Sequence, residues 1–147
     1  MTETQSRYGD PKSLSLLAFK RITMSECLFC SSNPSWVIAE NTSAYAIRDA
    51  FPVTDLHTLI IPRRHVEGYF DLTGDEKIGC EEMLSKSRKQ ILIEDALVTG
   101  FNIGINVGKS AGQTIFHCHI HLIPRRDGDV TDPRGGVRGV IPHKKNY

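Results

Sequence analysis

The sequence predicts a single α+β domain in which a mainly antiparallel sheet packs against one long helix, with short flanking helices. Three observations favour this fold class. Short apolar stretches joined by brief turns come first, one long stretch with helical features follows, and a further pair of strands comes after it. The 147 residues are enough for one hydrophobic core without disulfide or metal staples.

The predicted strands before the helix are rich in β-branched and aromatic residues and are separated by turn residues. They cover 36–41, 44–51 and 57–64, with the sequence FPVTDL (51–56) as the turn between the last two. After the helix, the alternation in 100–107 predicts a strand that carries four apolar side chains on one face, Phe101, Ile103, Ile105 and Val107.

The stretch 73–97 predicts the long helix. Thr73 is followed three residues later by Glu76, the pattern of a capping box, in which each side chain accepts a hydrogen bond from a main-chain N–H at the helix start. Four apolar residues form a partial stripe at helical spacing, Ile78, Met83, Leu84 and Ile91. One face of this helix is therefore expected to cover the sheet.

The stretch TIFHCHIHLIPRR (114–126) places His117, His119 and His121 at every second position. In a strand these side chains lie roughly 7 Å apart on one face, whereas on a helix the middle one would point away from the other two. A strand that ends at Pro124 is predicted, because proline cannot donate to a ladder. Its other face should pack on the core through Phe116, Cys118, Ile120 and Leu122.

Composition places the chain among ordinary soluble proteins. A formal charge of +1 and an apolar content of 39% give no basis for binding nucleic acid or an acidic membrane, and no apolar stretch is long enough to span a bilayer. A cytoplasmic location is expected, where the four cysteines are poor candidates for disulfides. We expect an N-terminal appendage (1–23), the domain itself (24–126) and a basic C-terminal tail packed on or beside it (127–147).

Cys27 and Cys30 have the C-x-x-C spacing that lets two thiolates reach one metal ion from a tight turn. A redox dithiol and a chance pair are the alternatives, although the βαβ setting of a redox dithiol is absent. A tetrahedral site needs two more ligands, and the spacing does not select them. The candidates are the six histidines, His57, His65, His117, His119, His121 and His143.

A glycine-rich stretch, 106–114, directly precedes the histidines. It is either a plain hairpin turn or a loop whose N–H groups cradle an anion, and it lacks the spacing of a Walker loop. Beside it, a neutral imidazole could attack phosphorus while its neighbours stabilise negative oxygens. Alternatively, the three histidines could hold a catalytic zinc ion that activates water.

The motif HCHIHLI (117–123), with AGQTIF before it and PR after it, strongly resembles the signature of the histidine triad family of nucleotide hydrolases and transferases. Upstream, RDAFPVTDLHTLIIPRRH (48–65) resembles the ribose-binding strand of that family and the turn that follows it. The likeness covers about residues 26 to 126.

The resemblance implies a role for each matching position. His119 corresponds to the nucleophile that carries the nucleotidyl group, and His121 to a phosphate contact. Asp49 falls where a carboxylate holds the ribose hydroxyls. His57 matches a histidine close to the site, although Asp55-Leu56 stands where the family usually has glycine. The remaining phosphate-contacting positions are Asn106, Gln113 and Thr114.

The resemblance also implies a structural zinc ion held by Cys27, Cys30, His65 and His117. It implies a homodimer. The implied substrate is a nucleotide, with a purine base favoured, and it is either a nucleoside phosphoramidate or a dinucleoside polyphosphate. The alternative function is a nucleotide-binding module that acts through a partner protein. Arg134 and Arg138 in the tail could either reach phosphates beyond the α position or belong to a solvated surface.

Overall fold

The structure, a computed structural model, describes residues 26–147. The predicted appendage (1–23) lies outside the described residues. Five antiparallel strands form one sheet in the order β1-β2-β3-β5-β4, and α1 (Gly74–Glu94) connects β3 to β4. The strands are β1 (Val37–Glu40), β2 (Ala44–Arg48), β3 (Thr58–Pro62), β4 (Val98–Gly104) and β5 (Ile120–Arg126). With its short 3-10 helices, this architecture confirms the predicted α+β fold.

The helix begins as its capping box predicts. Thr73 accepts a hydrogen bond from the Glu76 main-chain N–H at 3.2 Å, and Glu76 accepts one from the Thr73 N–H at 2.9 Å. Met83, Leu84 and Ile91 are buried against the sheet, but Ile78 is 60% exposed and does not extend the stripe.

The sheet has an apolar layer on each face. Side chains from β2, β3 and β5 alternate between them, so that α1 covers one layer and the segment around Cys27 and Phe29 covers the other. The layer under α1 includes Ala44, Ala46, Ile60, Cys118, Ile120 and Leu122. The opposite layer includes Tyr45, Ile47, Leu59 and Ile61. The second layer lies on the same face as His121.

The prediction for the histidine strand was wrong at both ends. β5 begins at Ile120, so His117 and His119 precede it, and Pro124 lies inside it opposite Phe101. Pairing with β3 stops at Leu122. Beyond that point no strand among residues 26–147 pairs with the side of β5 that faces β3, so a missing N–H is tolerated. The Pro124 carbonyl on this side accepts a hydrogen bond from Thr54 Oγ1 at 2.7 Å.

Two other predicted apolar faces are only partly buried. Phe116 is 36% exposed because it lies in the loop before β5 rather than on its core face. β4 ends at Gly104, and although Phe101 and Ile105 pack on the core, Ile103 is 52% exposed. Val107 also lies past the end of this strand.

The C-terminal residues form two short 3-10 helices, Gly136–Val140 and Pro142–Lys144, and the first of them contacts β4. Among residues 26–147, no helix combines the length and apolar character that crossing a bilayer requires.

Gly79 sets how closely α1 approaches the turn between β1 and β2. A Cβ at this position would lie 2.6 Å from Ser43 Cβ, and the Gly79 carbonyl accepts from Asn41 Nδ2 at 2.9 Å. We expect Gly79→Ala to reduce the free energy of unfolding by about 1–3 kcal/mol, through overpacking. Urea unfolding measures this change. Gly74→Ala, on the same helix with nothing within 4 Å of its Cβ, is the matched control and should leave stability unreduced.

Candidate active site and metal cluster

Four side chains from three separate segments form a Cys2His2 cluster. Cys27 and Cys30 come from the N-terminal turn, His65 follows β3, and His117 precedes β5. Cys30 Sγ lies 3.2 Å from His65 Nδ1, and His117 Nδ1 lies 3.5 Å from each Sγ. One donor atom of each residue lies within 4.8 Å of the other three.

This donor set fits a tetrahedral metal ion. Zinc with Zn–S bonds of about 2.3 Å and Zn–N bonds of about 2.0 Å places neighbouring ligand atoms roughly 3.3 to 3.8 Å apart. The His117 Nε2–H donates to the Pro62 carbonyl at 2.8 Å, which leaves the Nδ1 lone pair facing the two sulfurs. Burial and the adjacent Cys27 raise the pKa of Cys30 to about 11, so paired thiolates here require a cation.

The tautomer of His119 follows from its main-chain contact. Its Nδ1 lies 2.8 Å from the His117 carbonyl, which can only accept, so Nδ1 carries the proton and Nε2 has the lone pair. The ring is 8% exposed and meets the ring of Phe29 edge-on, with centroids 5.2 Å apart. The His121 ring lies on another side, at a centroid distance of 5.1 Å.

Asp49, His57 and His121 form a row of three polar side chains beside His119. His57 Nδ1 accepts from the Val53 main-chain N–H at 3.3 Å and lies 3.5 Å from Asp49 Oδ2. His57 Nε2–H then donates to His121 Nδ1 at 3.0 Å. His121 Nε2 is consequently the protonated nitrogen, and it is buried without a partner among the described residues.

Both histidines of this row are held neutral. Burial lowers the pKa of His57, against the opposing effect of Asp49. Burial, followed by the neighbouring His119 and His57, lowers the pKa of His121 to about 4, while Asp49 acts in the opposite direction. Neutral imidazoles are therefore expected throughout the physiological pH range.

The shift at His121 predicts that stability depends on pH. An unfolded chain protonates this residue below its ordinary pKa of 6.5, whereas the folded chain resists protonation down to about 4. The free energy of unfolding should therefore fall as the pH drops from 6.5 towards 4. Urea unfolding across this pH range measures the effect: the free energy of unfolding of His121→Asn should fall less steeply with decreasing pH than that of the native protein. His143→Asn, at an exposed histidine, should follow the native slope; equal slopes for all three would contradict the prediction.

The glycine-rich loop is held by Gln113, which is 5% exposed. Its Oε1 accepts from the Gly108 N–H at 2.8 Å, and its Nε2 donates to the carbonyls of Glu67 and Ile115 at 2.6 and 3.1 Å. Both protons of the Gln113 amide group are therefore already used in hydrogen bonds to main-chain carbonyls. Gly108 and Gly112 have φ of 85°, the left-handed region that glycine enters without strain.

Part of the predicted anion cradle is occupied by the loop itself. The N–H groups of Ala111 and Gln113 donate to the Gly108 carbonyl, and the Gly112 N–H donates to that of Lys109. Asn106 is half-buried and Thr114 is exposed, and neither side chain forms a hydrogen bond within the described part of the chain. A ligand would therefore meet these side chains and the remaining N–H groups.

An apolar cavity of about 520 Å³ lies on the sheet face that carries Asp49. Its size is within the usual range for small-molecule sites. Its lining comprises Leu28, Phe29, Ser32, Trp36, Ile47, Arg48, Asp49, Ala50, Phe51, Leu59 and Ile115. The cavity therefore has a carboxylate at one side, and it shares Phe29 with His119.

Residues 31–128 match the family model described as the HIT domain. The chain belongs to the HIT domain family. It is 38% identical over 103 residues to a 16.1 kDa HIT-like protein of Mycoplasma pneumoniae, which covers 67% of this chain and 71% of that protein.

Two solved structures of HIT relatives are similar. A Zn-bound histidine triad family protein from Mycobacterium smegmatis is 33% identical, with a TM-score of 0.65, over 74% of this chain and 81% of the other. The Plasmodium falciparum diadenosine triphosphate hydrolase, solved with Cyclomarin A, is 30% identical, with a TM-score of 0.59, over 68% of this chain and 67% of the other.

The departure from the usual HIT glycine before His57 is accommodated by strain at Leu56. Leu56 has φ of 66°, and it is the only non-glycine residue with positive φ among residues 26–147. Its carbonyl accepts from Thr58 Oγ1 at 2.8 Å and from Arg48 Nη1 at 3.3 Å, while its side chain packs partly against the core. These contacts hold the left-handed turn that glycine would adopt without cost.

The two tail arginines bond within the tail in this HIT protein. Arg134 pairs with Asp132 at 3.0 Å. Arg138 donates to the carbonyls of Lys144 and Lys145, at 3.0 and 3.3 Å, and its guanidinium lies over the Tyr147 ring. These contacts favour the surface interpretation of the tail over a reach to phosphate.

The sequence interpretation missed the aromatic residues around the cavity. Phe29 lies between the two cysteines and is 4% exposed, while Trp36 and Phe51 line the cavity and are 52% and 89% exposed. The available signal was the apolar pair inside the C-x-x-C turn, since those positions need not be apolar to bind a metal.

Proposed function

We propose that this chain is a nucleotide hydrolase or nucleotidyl transferase that acts at the α-phosphorus through a covalent nucleotidyl-His119 intermediate. Nucleoside phosphoramidates and dinucleoside polyphosphates are the proposed substrates. The tautomer of the neutral His119 ring carries the proposal. The Nδ1–H donates to the His117 carbonyl at 2.8 Å, so the lone pair lies on Nε2, which is the nucleophilic atom.

In the proposed reaction, a bond forms between His119 Nε2 and phosphorus while the bond from phosphorus to the leaving group breaks. The leaving group departs with that electron pair and takes a proton from solvent. Water then attacks the adduct, transfers hydroxyl to phosphorus, releases the proton and frees His119. Throughout, His121 Nε2–H donates to a phosphate oxygen, supported through His57 by the hydrogen bond of 3.0 Å.

The nucleoside is proposed to occupy the apolar cavity. Asp49 would hold the ribose hydroxyls, since its carboxylate lines the cavity and is fixed by the Phe51 N–H, which donates to Oδ1 at 2.9 Å. Trp36 and Phe51 offer aromatic faces on which a base can stack, and a purine presents the larger stacking area.

Asn106 and Thr114 are proposed to contact the phosphate directly, and Gln113 to do so only by shaping the loop, because both its amide protons are committed. The Cys2His2 cluster is proposed to hold a structural zinc ion. When bound, zinc would tie the N-terminal turn to the segment before β5 without taking part in the chemistry.

The assembly is proposed to be a homodimer that binds small nucleotides rather than nucleic acid or membrane. β4 is an edge strand of the sheet and carries the exposed Ile103. An edge strand can pair with the same strand of a second copy. We also propose a cytoplasmic location, where the thiols of the cluster stay reduced.

AMP release from a panel of substrates tests the proposal. The panel comprises an adenosine phosphoramidate, diadenosine polyphosphates and a nucleotide sugar. Release from one class establishes cleavage at the α-phosphorus and identifies the class of leaving group. No release from any of them, with AMP nevertheless bound, would favour the nucleotide-binding module instead.

Removal of the Asp49 charge should weaken binding rather than slow the chemistry. We expect Asp49→Asn to raise KM by at least about tenfold with little change in kcat, because hydrogen bonds to a charged group contribute about 1.5–3 kcal/mol. Steady-state kinetics on the best panel substrate measure this. Asp55→Asn, an exposed carboxylate in the same turn, should match the native enzyme, and an unchanged KM in Asp49→Asn would contradict the ribose assignment.

A further inference from the structure

The turn Cys27–Cys30 contributes to the metal cluster and to the apolar cavity at the same time. The two cysteines face His65 and His117, while Leu28 and Phe29 between them line the cavity. A hydrogen bond holds this turn on the sheet, because the buried Tyr45 hydroxyl of β2 donates to the Phe29 carbonyl at 2.6 Å. Two sites therefore share four consecutive residues.

Within this turn, Phe29 contacts both functional histidines. Its ring meets His117 edge-on at a centroid distance of 5.8 Å and an interplanar angle of 85°, and it meets His119 at 5.2 Å and 65°. Among the described residues, the His119 side chain forms one hydrogen bond, from Nδ1 to the His117 carbonyl, and one such bond does not by itself fix the tilt of the ring. The Phe29 ring restricts that tilt from the side of the cavity.

We propose that Phe29 is a positioning residue that couples the metal cluster to the nucleophile and the nucleoside cavity, so that metal and nucleotide bind cooperatively. This inference rests on the proposed function. A nucleoside in the cavity contacts Leu28 and Phe29, which holds the turn in the conformation that directs both cysteines at the cluster. By linkage, a bound metal must favour the nucleotide by the same factor.

The rate at which a chelator removes zinc tests the coupling without any enzymatic turnover. The zinc-loaded native protein is mixed with a colorimetric chelator, with and without saturating AMP. Coupling between sites is typically about 5- to 150-fold in affinity. Because AMP would act by holding the cysteine ligands in place, we expect this change to appear mainly in dissociation, so that AMP slows zinc loss by at least about fivefold. AMP affinity is measured separately through the fluorescence of Trp36.

Phe29→Leu should bring zinc loss with and without AMP to within about twofold of each other. A residue with a merely structural role would speed zinc loss in both conditions and preserve their ratio. Phe70→Leu, the same change at a side chain that is 80% exposed and outside the cavity lining, is the matched control and should retain the native ratio. Should Phe29→Leu fail to fold, Leu28→Ala, at a side chain that is 53% exposed, replaces it and should at least halve the ratio.

The possible results distinguish failure of the coupling from failure of the proposed function. AMP that binds the native protein but leaves zinc loss unchanged would overturn the coupling and leave the proposed function standing. Full coupling in Phe29→Leu would overturn the role of Phe29. A native protein that binds no AMP would remove the proposed function, and the coupling with it.

Discussion

Replacement of His119 by alanine should reduce AMP release by at least about 10³-fold while leaving AMP affinity within a few-fold of native, because removal of a covalent nucleophile abolishes the chemical step. Binding is retained since Asp49 and the cavity lining are untouched. Single-turnover kinetics and AMP titration measure the two quantities. Rapid quenching followed by mass spectrometry should detect one nucleotidyl group on the native protein and none on the variant.

Two further variants make this result specific. His119→Asn keeps a side-chain N–H that can donate to the His117 carbonyl but has no nucleophilic nitrogen, so it should be as inactive as His119→Ala. His143→Ala, at an exposed histidine in the tail, should match the native enzyme. Activity above about a tenth of native in either His119 variant would exclude the covalent mechanism.

Loss of one ligand of the Cys2His2 cluster should cost stability and activity together. We expect Cys30→Ala to lose zinc and at least about 3 kcal/mol of unfolding free energy, because metal binding at a closed site contributes to folding. For a chain of this size, the melting temperature should fall by roughly 6–12 °C. Calorimetry and zinc content by atomic absorption measure these changes.

Cys80→Ala is the matched control for this prediction. Cys80 lies on the buried face of α1 and is 1% exposed, so its truncation creates a small cavity and lowers stability by only about 1–2 kcal/mol, with zinc content unchanged. A different outcome distinguishes the catalytic-zinc alternative. If chelation stopped turnover in a protein that kept its native melting temperature, zinc would belong to the chemistry rather than to the fold.

Local patterns were predicted well because their physics is contained in a few neighbouring residues. The capping box of Thr73 and Glu76 lies within one helical turn, and the helix begins where it predicts. The alternation of Cys118, Ile120 and Leu122 placed these residues on the core face, where each is at most 3% exposed. Side chains alternate between the two faces of a strand whatever strand pairs with it, so this alternation can be read from the sequence alone.

Strand ends were predicted poorly because they depend on the partner strand. Pro124 was expected to end the histidine strand, yet it lies inside β5, because the pairing with β3 already stops at Leu122. Phe116 was assigned to the core on period alone and is 36% exposed, since the strand has not begun at that residue. In both cases the deciding contact is distant in sequence.

The sequence by itself determined the fold class and the long helix, and its HCHIHLI signature predicted the candidate site residues, because periodicity, capping and the signature are all local. Tertiary structure alone decided which of those residues lie in contact and which atom of each one faces its neighbour. It brought Cys27 and Cys30 to His65 and His117, and it directed the His119 Nδ1 proton to a main-chain carbonyl. These contacts join segments far apart in the chain, and only packing of the sheet brings such segments within a few ångströms.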